Sequence, residues 1–387
     1  LLQRFRQPDH DGQATQHQRR HPCTRYGAPV LSQKRQRIGF ISTRLAGTDG
    51  VSLEAFKWAD ILSEMGHECY FFAGECDQAE DRCMVVEEAH FRHPQVFELN
   101  LQLFERQRRT PATTRTVQEL RATLRQSLAE FVARFQIDMI IVENALSIPM
   151  NIPLGLALTE LIAEQDLCTI AHHHDFAWER QRFSTHRADD YLAAAFPPPL
   201  ETILHVTINS YAARQLAHRT GMRSTVVPNV MDFDHPPVAD DGYADDLREV
   251  LGLDEDEYLF LQPTRVVPRK RIELSIQLAR WLEMPCAILS PHAAGDEGVE
   301  YHEYLARFAD TMNVRLLLEA DRFAPTRSRT SHGEKIYSLA DAYRNASLVT
   351  YPSAVEGFGN AFLEAIYYKR PLVMSSYEIF KTDIQPK

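Results

Sequence analysis

Two glutamates with seven residues between them, Glu356 and Glu364, stand in the segment Ser353-Ala-Val-Glu356-Gly357-Phe358-Gly359-Asn360-Ala-Phe-Leu-Glu364. The apolar run Leu348-Val349-Thr350-Tyr351 predicts a short buried strand, Pro352 and the two glycines end it, and Ala361 to Tyr368 returns to helical spacing. A glycine loop opening into a helix presents unpaired N–H groups at the positive end of the helix dipole, which suits a phosphate. Glu356 falls in the loop and Glu364 about one turn into the helix, where side chains lean back toward the N-terminus. Carboxylates repel a phosphate, so they make sense here if they bind neutral hydroxyls attached to it, such as those of a sugar and a ribose. The implied ligand is a nucleotide-sugar. The plainer alternative makes Glu356 a solvated strand end and Glu364 an ordinary first-turn acid stabilised by the dipole.

Three other stretches could contribute chemistry. Thr264-Arg265-Val-Val-Pro-Arg269-Lys270-Arg271 follows the predicted strand Tyr258 to Gln262 and opens a helix over Ile272 to Leu282. Cations in that position call for an anion; a solvated basic loop is the alternative. Ala171-His172-His173-His174-Asp175 ends a strand starting at Leu167, where α/β sheets place ligands. His172 and His174 would share one side of the extended chain, so a metal set with Asp175 competes with a purely structural cluster. Gly47 and Gly50 lie between the strand Arg37 to Ser42 and a helical pattern over Leu53 to Met65. Their spacing is not a nicotinamide fingerprint, and a tight turn and nothing more is the alternative.

The segment from Glu356 to Glu364 resembles the signature of retaining glycosyltransferases of the GT-B fold, which include sucrose-, trehalose- and mannosyl-transferring enzymes. The resemblance implies that Glu356 contacts the donor sugar, that the loop of Gly357, Phe358, Gly359 and Asn360 contacts sugar and phosphate, and that Glu364 holds the ribose diol. Arg265 and Lys270 match the family's diphosphate-binding cations, with Thr264 and Arg271 standing where the family has glycines. His174, followed by Asp175, fits the family's sugar-binding histidine best, with His172 and His173 leaving that assignment open by one or two positions. Gly47 and Gly50 carry over by position to a loop near the donor phosphates and the acceptor. The implied reaction moves a hexosyl unit from a nucleotide-diphosphate sugar, such as UDP-glucose or GDP-mannose, to a hydroxyl of a sugar or small acceptor. It implies no cofactor and no metal. A GT-B epimerase or phosphorylase, or a catalytically silent nucleotide-sugar-binding protein, shares the same features.

These residues need a scaffold that brings strand ends together. A chain of 387 residues with 44% hydrophobic and 25% charged residues has room for two globular domains. Strands alternating with helices predict α/β architecture, two facing Rossmann-like domains with parallel sheets. The expected divisions are a disordered leader over 1–36, an acceptor domain over 37–233 and a donor domain over 234–387, the last set off by the Pro-, Asp- and Gly-rich stretch from Asp234. Family members continue past a strand at Pro371 to Ser375 with more helices, so the C-terminal part is expected to be truncated. A net charge of −11 excludes general nucleic-acid binding. No apolar run is long enough for a membrane span and no secretory signal is evident, so the expected compartment is the cytoplasm, with peripheral membrane contact left open. The six cysteines form no C-x-x-C pair and are expected to be free thiols.

Overall fold

The computed structural model describes residues 35–47, 49–235, 237, 240–292, 299–324 and 326–386. The expected leader lies outside the described residues apart from Arg35 and Gln36. The chain divides into two compact units, one ending at Ile208 but taking in Ala212–Val227, the other comprising Asn209–Tyr211 and Pro228 onward. That division falls a few residues before the one expected between 233 and 234.

The first unit is built on seven strands: β1 (Arg37–Ile41), β2 (Glu68–Ala73), β3 (Cys83–Val85), β4 (Met139–Glu143), β5 (Cys168–His173), β6 (Ile203–Thr207) and β7 (Thr225–Val226). All pair in parallel, in the order β3-β2-β1-β4-β5-β6-β7. β4 has no exposed residue, as expected of a central strand covered on both faces. The crossovers carry helices α1 (Gly50–Glu64), α2 (Pro94–Asn100), α3 (Pro111–Phe135), α4 (Ile152–Gln165), α5 (Asp189–Ala195) and α6 (Ser210–Thr220). α3 starts at a Thr110–Thr113 capping box followed by Pro111, and ends at Gln136 in the left-handed conformation. Its buried Val117, Leu120, Leu124, Leu128, Phe131 and Phe135 recur at helical spacing; the last four pack into the sheet's core, and Val117 and Leu120 join a second apolar cluster with Val96 and Leu99 of α2. Its arginine face is solvent-side, where Arg121 pairs with Glu160 at 2.7 Å and Arg125 with Glu164, both acids on α4.

Gly74, just past β2, lies so close to the 3-10 turn at Glu87–Ala89 that a Cβ there would sit 2.2 Å from the His90 amide nitrogen. Backbone cannot yield as a flexible side chain can. Gly74→Ala should therefore destabilise the first unit by about 1–3 kcal/mol, seen as a lowered midpoint in denaturant unfolding.

The second unit has a five-stranded parallel sheet, β8 (Tyr258–Leu261), β9 (Cys286–Ser290), β10 (Arg315–Leu318), β14 (Leu348–Tyr351) and β15 (Leu372–Met374), ordered β10-β9-β8-β14-β15. Between β10 and β14 the chain makes a small sheet from β11 (Phe323–Ala324), β12 (Ser328–Arg329) and β13 (Lys335–Ser338). The sequence reads as a polar loop there because two-residue strands carry too little periodicity to recognise. Helices α7 (Leu247–Val250), α8 (Ile272–Leu282), α9 (Val299–Met312), α10 (Leu339–Asn345) and α11 (Asn360–Tyr367) complete the unit. Buried Tyr337, Tyr343, Leu259, Leu289 and Ala365 lie in one of its apolar clusters.

Both sheets run outward from a central strand and then reverse, at β1/β4 in the first unit and at β8/β14 in the second. Such reversals splay the loops apart at the carboxyl ends of the strands and leave a crevice, where open α/β sheets bind ligands. Cys69, Cys76, Cys83 and Cys286 are free thiols. Cys168 is disulfide-bonded, which departs from the expectation that all six are free.

Candidate active site

In the second unit the loops after β8 and β14, the two strands of the reversal, meet. Lys270 Nζ donates to Glu356 Oε1, and Arg269 lies 3.9 Å from Glu356 Oε2. The Lys270 and Glu356 side chains are only 10% and 9% exposed. Burial pushes Lys270 down to about 8 against the raising effect of Glu356. Burial alone would raise the Glu356 carboxyl, but Lys270 outweighs it and holds the group below the usual range. The pair is therefore ionised near neutrality. The Tyr351 ring lies 5.8 Å from Lys270 Nζ and adds a cation–π contact.

Arg265 is exposed at the mouth of the β8 loop, and its charge acts on Lys270. The two departures from the family's glycines have structural counterparts. Arg271 adopts φ +51°, the left-handed conformation a glycine would favour, and Thr264 is buried with its hydroxyl accepting from Gln262 Nε2 at 2.9 Å.

The signature loop is braced from several sides. Gly359 has φ +121°, and its neighbour Phe358 offers its carbonyl to the Tyr377 hydroxyl at 2.8 Å. The Gly357 carbonyl accepts from Asn209 Nδ2 at 2.7 Å, and Asn229 Nδ2 donates to Asn360 Oδ1 at 2.9 Å. Gly359 precedes α11, and no side chain caps that helix, so its first amides suit an anion. One turn in, Glu364 accepts from the buried Tyr343 hydroxyl at 2.8 Å, which fixes the carboxylate that the resemblance assigns to a ribose.

Sequence reasoning missed Tyr343, Tyr351, Tyr377, Asn209 and Asn229, because bracing residues scattered through the chain have no common spacing. It also missed His292, just past β9, which burial, Arg265 and Lys270 together push down to about 4. This imidazole is neutral, and its position after a strand of the central sheet was a usable signal.

The glycine loop of the first unit is arranged differently. Gly47 has φ +73° and donates its amide to Asp77 Oδ2 at 2.6 Å. Gly50 opens α1, whose Val51 and Ser52 amides are taken by the Asp49 carboxylate. These three amides are satisfied within the protein, unlike the uncapped start of α11, so they offer no ready anion site.

The histidine run divides by strand alternation. His173 faces His205, with 2.9 Å between Nε2 and Nδ1, and burial depresses the affinity of both rings for a proton. His172 and His174 point to the other side, onto Glu143 at the end of β4. Burial would raise the Glu143 carboxyl, but the two rings hold it at about 2. Among the described residues, this is the group of His, Cys, Asp or Glu whose ligating atoms, all within 4.8 Å of one another, could hold a metal ion. Asp175, placed in the metal set by sequence, instead pairs with Arg180 and accepts from Asn144 at 3.0 Å.

Residues 244–386 match the family described as Glycosyl transferases group 1. A mannosylglucosylglycerate synthase of Thermotoga maritima is 33% identical over 375 residues, covering 90% of this chain and 83% of the relative. The chain belongs to the group 1 glycosyltransferases. The solved structures agree in fold. A glycosyltransferase from Rickettsia africae aligns at TM-score 0.59 with 10% identity, covering 90% of this chain and 82% of the other. Anabaena HepE in complex with UDP-glucose aligns at 0.55 with 14% identity, covering 89% and 81%. The protein is thus a glycosyltransferase with the GT-B fold, and no helix among its described residues is long and apolar enough to cross a membrane.

Proposed function

We propose that this glycosyltransferase moves a hexosyl unit from a nucleotide-diphosphate sugar to an acceptor hydroxyl with retention of anomeric configuration. The observation that supports this best is the Lys270–Glu356 pair, buried at the sheet reversal beside the uncapped start of α11. A cation for phosphate and a carboxylate for sugar hydroxyls are then in contact, as a diphosphate-linked sugar requires. Lys270 and Arg265 take the leaving diphosphate, Glu356 the sugar, Glu364 the ribose, and the Phe358 to Asn360 amides the sugar and adjoining phosphate. The bond from the anomeric carbon to the leaving phosphate oxygen breaks, the bond to the acceptor oxygen forms, and the acceptor proton passes to the departing phosphate. A cation about 4 Å from a phosphate charge, at an effective dielectric near 20, supplies about 4 kcal/mol before desolvation.

The Thermotoga relative's name and the Anabaena complex make GDP-mannose and UDP-glucose the first donors to test, with glucosylglycerate as first acceptor. Nucleotide release, product mass and the product's anomeric configuration are the readouts. An epimerase or phosphorylase would act without donor-dependent acceptor glycosylation, and a silent binder would be stabilised by donor with no product; inversion would reject the retaining mechanism.

Lys270 also makes the reaction pH-dependent. With its free-enzyme value near 8, the ammonium is lost as pH rises through that point, so kcat/KM for the donor should fall on the alkaline side. Bound diphosphate favours the charged form, so kcat at saturating donor should hold to higher pH. Coincident alkaline limbs for the two quantities would remove Lys270 from the leaving-group role.

A further inference from the structure

We propose that Glu143, His172 and His174 form a binding site for one first-row transition-metal dication of the zinc class, with its fourth coordination position open to water or a substrate oxygen. The sheet register creates the site. Glu143 and His172 are paired partners on the adjacent parallel strands β4 and β5, so their side chains emerge on the same face. His174, two residues beyond His172, returns to that face.

The three donors already converge on one point. His172 Nδ1 lies 3.0 Å and His174 Nε2 2.9 Å from the same carboxylate oxygen, Glu143 Oε2. Tetrahedral zinc bonds of about 2.0–2.1 Å place neighbouring ligand atoms about 3.3 Å apart, near the two histidine–carboxylate separations, and the three ligating atoms lie within 4.8 Å of one another. Two imidazoles and a carboxylate, with three protein ligands and an open fourth position, are the donor set of catalytic zinc rather than of calcium or magnesium. The surroundings hold the ligands in place. Trp58 stacks on His172 with ring centroids 4.5 Å apart, Asn144 Oδ1 accepts the His174 amide at 2.9 Å, and Ser42 donates to the Glu143 carbonyl at 3.0 Å. The Glu143 side chain is wholly buried, where a charge needs close compensation.

The test is metal content and metal-dependent stability of the full chain after chelator treatment and dialysis against zinc chloride. The site predicts about one zinc ion tighter than any bound by a Glu143→Gln variant, a raised unfolding midpoint on zinc addition, and visible absorption of tetrahedral type with Co²⁺ in place of Zn²⁺. Removing a ligand should weaken binding at least about 10–100-fold, the loss usual even for outer-shell partners. If Glu143→Gln fails to fold, His172→Gln serves instead, and Asp175→Asn is the control that should keep the ion. Equal zinc content and an equal midpoint shift in the wild type and the Glu143 and His172 variants would overturn the site. Metal binding without glycosyl transfer would reject the proposed reaction and leave the site standing.

Discussion

Replacing Lys270 by Ala is expected to lower turnover with a nucleotide-sugar about 10²- to 10³-fold, the usual loss when one preorganised donor to developing charge is removed. The same change leaves Glu356 buried without its main counter-charge. Breaking a buried pair on one side typically costs about 3–5 kcal/mol, so the variant should also unfold more readily. Glu356→Gln separates the two effects. It keeps the volume and a hydrogen-bonding group while removing the charge, and should lower the rate by a similar factor. Lys270→Met with Glu356→Gln restores neutrality and should recover stability without recovering activity. Steady-state kinetics and denaturant unfolding of the four proteins decide the matter. A rate within threefold of wild type in either single variant would sink the assigned roles.

Gly359→Ala should be nearly as severe for a different reason. At φ +121° the backbone is where an L side chain is strained, typically by about 1–3 kcal/mol, and the new Cβ would lie 2.0 Å from the Tyr377 hydroxyl oxygen. Either the loop or Tyr377 must move, and Tyr377 is the residue that holds the Phe358 carbonyl. Displacing reacting groups by about 1 Å can cost about 10²-fold in rate. Tyr377→Phe in the Gly359→Ala background removes the clashing oxygen but not the dihedral strain, so it should restore stability only in part. Full recovery of activity in the double variant would show that the clash alone matters and that the backbone conformation does not.

Much of the architecture was legible because it is local. Apolar strands alternating with amphipathic helices imply parallel sheets, and both sheets are parallel throughout their main pairings. The glycines and glutamates of the signature segment also predicted strand, loop and helix in the observed order, β14, turn and α11. The short strands β11 and β12 were illegible because their pairing, rather than their side-chain pattern, defines them.

By itself the sequence determined the residue types available for binding a sugar diphosphate, and the strand ends at which they stand. Short-range backbone preferences and side-chain periodicity are enough for that. Only the tertiary structure decided their partners. It joined Lys270 to Glu356 across 86 positions of sequence, set Tyr343 against Glu364, and turned His172 and His174 onto Glu143 rather than Asp175. The physical reason is sheet register: a one-residue change in pairing sends a side chain to the opposite face, and register is settled by packing over the whole sheet.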